Sequence, residues 1–184
     1  MLPFPRFSTW AARSVAVAVC ILATPGCSSN GTSEAAQVAP ELKLEGVRFR
    51  VYRGEQLRAS GEAATATLRR DSTRVTAREL LAILPGEGSP VRIDAALGEG
   101  TLTTRVFSAN GGVIVSRRGD VGRTASARYE PLPGGAGLVR GDEPVVVEGE
   151  GYRLEGPRFT LDPESGEIAI QGGARLDAGL EGSR

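Results

Sequence analysis

The stretch GEGYRLEGPRFTLDPESGEIAIQGG, residues 149–173, decides how the rest of the chain is read. Its carboxylates, Glu150, Glu155, Asp162, Glu164 and Glu167, stand among glycines and fit either a metal or acid–base cluster or strands joined by a turn. The apolar residues between them favour strands. Tyr152 and Leu154, Phe159 and Leu161, and Ile168 and Ile170 each sit two apart, the period of a half-buried strand. Asp162-Pro163-Glu164-Ser165-Gly166 is turn chemistry, in which Asp caps the bend, Pro fixes φ and Gly takes the strained position. A calcium loop needs oxygen ligands at regular alternating positions over a longer run. The acids are therefore read as a wet face and a turn, with no metal site.

The same grammar extends outward in both directions. Val47, Phe49 and Val51 alternate with arginines, as do Ala64, Ala66 and Leu68 with threonines, and Val91, Ile93 and Ala95 with polar residues. Further runs surround Val106, Val115, Tyr129, Val145 and Val147. About ten short alternating runs bounded by Gly, Pro, Asp or Ser predict an all-β domain over residues 42–180. Asn110-Gly111-Gly112 is expected to turn one strand into the next, Pro144 to open a strand, and Pro157 after Gly156 to mark a bulge or an edge. Residues 77–84 fit two readings. Ala77, Leu80, Leu81 and Leu84 have helical spacing, while the flanks favour a strand and Pro85 ends either. Small residues expected to face inward (Ala64, Ala66, Thr104, Ala125, Ala127) leave room for a ligand or make a thin dry core.

Ahead of the domain, Arg6 and Arg13 precede the apolar run SVAVAVCILATPG, residues 14–26. It falls short of the roughly 20 apolar residues that span a bilayer and reads as a secretory signal. Ala23-Thr24-Pro25-Gly26-Cys27 resembles a lipobox, which makes Cys27 a candidate for lipidation; ordinary cleavage is the alternative. Residues 27–41 are small, polar and without apolar periodicity, a flexible tether. Residues 1–26 contain two arginines and no acid, so removing them takes the chain from 22 basic and 22 acidic groups to 20 and 22, a net charge of −2. That is no nucleic-acid footprint. The chain has no histidine, one lysine (Lys43) and no phosphate-binding glycine loop, which argues against an enzyme and implies no cofactor. Arg69-Arg70 and Arg117-Arg118 read as solvated strand ends or as phosphate contacts.

Three pieces of the second half carry a family resemblance. They are Gly111-Gly112-Val113 followed by Arg123 to Tyr129, then Asp142 to Val147 with Gly151 to Gly156, and then Phe159 through Gly172. In this order they resemble the LptC component of lipopolysaccharide export and its LptA/OstA relatives, with a likeness running from Leu44 to Leu176. The resemblance implies a single open, twisted β-jellyroll that holds lipopolysaccharide acyl chains in an apolar groove. Groove-lining residues would be Val47, Phe49, Val51, Leu68, Val106, Val115, Tyr129, Val145, Val147, Tyr152, Leu154, Phe159, Leu161, Ile168 and Ile170.

It also implies partners at the two sheet edges. Leu44, Arg48 and Arg50 on the first strand would meet the periplasmic domains of an inner-membrane lipopolysaccharide ABC transporter. Ala169 and Gln171 on the last would meet an LptA-like bridge protein. Family members hold the inner membrane with a transmembrane helix; here a lipid on Cys27 would anchor the chain in the periplasm. The inner membrane is the expected site and the outer membrane the alternative, since Ser28 follows the cysteine. A structural or envelope-assembly lipoprotein that binds proteins by strand addition, without carrying lipid, is the competing reading.

Overall fold

Strand-period alternation from residue 41 onward produces a fold without helices in the computed structural model, which describes residues 41–133 and 137–179. The signal segment, most of the tether and Cys27 lie outside the described residues. Six long strands come first: β1 (Glu41–Arg53), β2 (Gln56–Arg69), β3 (Arg74–Leu84), β4 (Val91–Thr101), β5 (Val106–Arg117) and β6 (Asp120–Glu130). Six short ones follow: β7 (Leu138–Gly141), β8 (Val145–Gly149), β9 (Tyr152–Gly156), β10 (Arg158–Leu161), β11 (Ile168–Gln171) and β12 (Arg175–Ala178). All pair antiparallel in one sheet whose two edges do not meet.

The short strands are halves of longer ones. β6 pairs with β8 through Val121–Thr124 and with β7 through Arg128–Glu130. β7 then pairs with β10 and β8 with β9, and beyond them β10 pairs with β11 and β9 with β12. The β7/β8, β9/β10 and β11/β12 pairs are thus three long strands, interrupted at Asp142–Pro144, at Pro157 and at residues 172–174. With the interruptions spanned, the sheet is a meander in chain order from β1 to β11/β12. This is the expected all-β, open antiparallel architecture.

The interruptions belong to one crease that crosses every strand. Gly46 faces Ala64, Ala64 faces Glu79 and Glu79 faces Ala96, each position missing from an otherwise continuous register. Ala96 lies opposite the Gly111-Gly112 bulge of β5, which in turn lies opposite Ala125. Gly46, Glu79, Gly111, Gly112, Gly172 and Gly173 all have positive φ, the left-handed conformation that bends a strand out of its pleat. Inward residues on either side of the crease are three or four apart rather than two: Ala63 and Ala66, Ala77 and Leu80, Ala95 and Gly98, Ala109 and Val113, Thr124 and Ala127.

That change of step corrects several expectations. Ala77 and Leu80 share a face because Glu79 turns the strand over, so residues 77–84 are strand with a helix-like spacing. Gly111-Gly112 has the expected positive φ but sits within β5 and makes no hairpin. Ala64 and Ala125 face outward, and Ala63 and Thr124 take the inward places.

At the crease the sheet doubles back on itself. A strand of eleven residues extends about 35 Å, yet turns at opposite strand ends are hydrogen-bonded. Glu87 N, beyond β3, donates to Glu164 O, beyond β10, at 2.8 Å. Arg53 Nη1 at the end of β1 donates to Leu132 O, beyond β6, at 3.2 Å. Two half-sheets therefore face each other, with Val91, Val113, Val139, Val145, Val147, Phe159 and Leu161 buried between them. Small side chains flank the fold line, where the layers are nearest: Ala66, Ala77, Gly98, Ala109 and Ala127 are successive cross-strand partners. Larger residues such as Leu68, Val75, Phe107 and Tyr129 lie further out on the same face.

Candidate functional site

Toward β8 and β10 the half-sheets close on one another; toward β1 they splay apart, between β1–β3 of one layer and β2–β6 of the other. The splay leaves a cleft of about 670 Å³, within the roughly 300–1,000 Å³ of small-molecule sites. One wall carries Val47, Phe49 and Val51 from β1 with Ala59 and Ala63 from β2. The opposite wall carries Leu68, Val75, Phe107 and Tyr129, and the turns at residues 102–105 and 131–133 reach the mouth. Phe49 lies over Gly61, where a Cβ would strike its ring, so a glycine gives the wall room for an aromatic.

The expected lining residues divide between three surroundings. Val47, Phe49, Val51, Leu68 and Tyr129 line the cleft. Val145, Val147, Phe159 and Leu161 are 2–5% exposed in the closed core, where Phe159 covers Gly141. With Val115 and Ile168 they border a smaller hollow of about 150 Å³. Tyr152, Leu154 and Ile170 are partly buried against that core. Val106 is half-buried outside the cleft, and its neighbour Phe107 lines it instead. Ala59, Ala63, Ala82, Arg58 and Arg105 also line the cleft although the sequence did not single them out. The register change at the crease conceals the alanines, and a local bulge conceals Arg58.

The two edges are as the strand order requires. β1 is one edge, with Arg48 and Arg50 exposed and Leu44 at 37% exposure reaching the cleft rim. β11 is the other along its half-sheet, with Ala169 and Gln171 exposed.

Asp162 and its neighbours form the turn between β10 and β11. Asp162 Oδ1 accepts from Glu164 N at 2.8 Å, and Asp162 O accepts from Gly166 N at 2.7 Å. Gly166 has φ +80°, and the Arg117 guanidinium occupies the place its Cβ would take. Arg117 and Arg118, at the end of β5, both donate to Glu87 O at 2.9 Å within one half-sheet, and Arg117 packs on Gly166 of the other, so the arginines support the clasp that Glu87 N makes to Glu164 O. Glu155 accepts from Arg153 Nε at 2.8 Å on the sheet surface. Among the described residues no three of His, Cys, Asp or Glu come together as a metal would need, and no helix is long and apolar enough to cross a membrane.

Two phenols feel the fold. Burial pushes Tyr129 above its ordinary value near 10, against the opposing charges of Arg58, Arg53 and Arg105. Tyr152 is raised by burial first and then by its hydrogen bond to Asp120. Compared with known proteins, the chain matches no family model and no curated sequence.

Proposed function

We propose that the chain is a lipid-binding trough that carries lipopolysaccharide acyl chains from an inner-membrane ABC transporter toward the outer membrane. The observation that carries this reading is the splayed cleft, which is open at its lip and lined along both walls mostly by apolar side chains among the described residues. Each methylene that moves from water into it contributes about 0.8 kcal/mol. On this reading the trough is passive, and the work of moving lipid is done by the transporter. A periplasmic, lipid-anchored setting is part of the same proposal, with Cys27 as the anchor.

The partners follow from the edges. β1 and the β11/β12 strand have no neighbouring strand on their outer sides among the described residues, and Leu42, Leu44 and Leu176 are exposed along them at 39%, 37% and 62%. Such edges accept an added strand, here from the transporter's periplasmic domain and from an LptA-like bridge protein.

A photocrosslinking residue tests the lipid reading. Placed at Phe49 in the cleft it should yield lipopolysaccharide adducts, and at Glu62 on the exposed outer face it should not. Protein adducts alone at Phe49 would instead favour an assembly protein that works through its edges.

A further inference from the structure

Several arginines on the sheet surface have carboxylate partners nearby. Arg92 pairs with Asp94, Arg123 with Glu148, Arg128 with Glu130, Arg153 with Glu155 and Arg175 with Asp177. The cleft lining gathers Arg48, Arg50, Arg53, Arg58 and Arg105 with one acid, Glu99, and Arg48 pairs outward with Glu62. Among the described residues, neither Arg58 nor Arg105 has a carboxylate within ion-pair distance.

The backbone departs from regular geometry to put these side chains there. Val51 pairs with Ala59 but Tyr52 pairs with Leu57, so Arg58 is the extra residue of a β-bulge. A bulge re-aims a side chain; this one turns Arg58 to the cleft and leaves Leu57 37% exposed. The Arg58 guanidinium meets the Gln56 amide oxygen, while its Nε is buried with no hydrogen-bond partner. Arg105 holds φ +58° at the end of the turn after β4, its N–H bonded to Thr101 O at 2.8 Å. A left-handed conformation is unfavourable for any residue with a Cβ. Arg53 bridges the two half-sheets through Leu132 O. All three charges bear on the Tyr129 phenol.

We propose that Arg53, Arg58 and Arg105 form an anion site at the mouth of the cleft, which takes the phosphate group of a lipid whose acyl chains lie within. The proposal rests on the lipid-carrying reading above and names the class of lipid. Guanidinium forks match phosphate oxygens in pairs, and a cation at an apolar lip is stabilised when an anion meets it there. Continuity with the cleft makes a lipid headgroup the occupant rather than a free ion.

Calorimetric titration of the purified chain tests this with three probes: short-chain phosphatidic acid, the diacylglycerol with the same chains, and inorganic phosphate. Phosphatidic acid should bind about tenfold tighter than the diacylglycerol or better, the effect of one charge-assisted hydrogen bond. Arg58→Gln with Arg105→Gln should erase that preference and leave diacylglycerol affinity unchanged, while Arg92→Gln on the outer face should preserve it. Thermal unfolding of each variant establishes that it is folded. Equal binding of the two lipids by the native chain, or a preference that survives the double substitution, overturns the headgroup site and leaves the lipid cleft standing. Inorganic phosphate binding as tightly as phosphatidic acid assigns the arginines to a free anion and overturns the proposal. Binding of neither lipid overturns both readings.

Discussion

Leucine at Ala59 and Ala82 together would fill one wall of the cleft. Both alanines are half-buried and line it, away from the tight row of small residues at the crease. The two changes add six carbons where a chain would otherwise lie. At about 0.8 kcal/mol per methylene, full exclusion from those positions costs a bound chain about 5 kcal/mol. A chain that shifts sideways within a cleft of about 670 Å³ keeps part of its contact, so the expected loss is about 2–5 kcal/mol, at least about thirtyfold in affinity. Folding should change little, by about 1 kcal/mol, because the added carbons enter open space. Phe159→Ala is the opposite case. Its ring is 5% exposed in the closed core over Gly141, so its loss should cost about 3–5 kcal/mol of stability while affinity holds at temperatures where the variant is folded. Displacement of a fluorescent fatty-acyl probe and urea unfolding read the two quantities separately. Undiminished probe affinity in the double leucine variant would refute the cleft as the chain's seat. A stability loss in that variant as large as Phe159→Ala would show that the space is not free.

Other consequences follow from the crease, the clasp and the buried phenols. Glu79 holds φ +53° in the middle of β3, so Glu79→Val should lose about 1–2 kcal/mol despite valine's better strand propensity; a stabilised variant in urea unfolding would contradict the crease. Gly166→Ala should destabilise by about 1–3 kcal/mol, since the new Cβ meets the Arg117 guanidinium that is bonded to Glu87 O. Faster hydrogen exchange at the Glu87 amide, which is bonded to Glu164 O, should accompany it, and unchanged exchange there would argue against a clasp. Tyr129 and Tyr152 both titrate above the ordinary value near 10. The folded chain therefore holds phenolic protons that the unfolded chain releases: their contribution is complete below pH about 10 and lost as pH climbs toward the folded values. Tyr129→Phe with Tyr152→Phe should flatten the alkaline decline of the unfolding midpoint, and an unaltered slope would contradict the assignment.

The strands and the turn of residues 149–173 were readable because their signals are local. Tyr152 and Leu154 alternate within five residues, and Asp162 bonds the backbone two and three residues ahead. The crease was not readable, because it exists only between strands. Gly46, Gly111 and Gly172 each look like an ordinary turn glycine, and Glu79 at positive φ has no glycine to announce it. Only the register shows that these residues share one line, and that line reverses which alanines face inward. Periodicity assigns a face and says nothing of the distance to the opposite layer. Val47 and Val147 both face inward, yet one lines the cleft and the other is 4% exposed in the core.

What separates those two fates is the fit between layers. On the closed side Val91, Val113, Val139, Val145 and Leu161 fill the space between them, and Glu87 N bonds Glu164 O from the turn before β4 to the turn after β10. Between β1 and β3 the walls offer Ala59, Ala63 and Ala82, too small to reach across, and at the mouth Arg53 bonds Leu132 O. The same folding that opens the cleft brings the β1–β2 hairpin beside turns some 50 to 80 residues later in the chain. Arg58 and Arg105 therefore become neighbours of an apolar cleft only in the doubled sheet. The proposed headgroup site and the cleft are two results of one fold line.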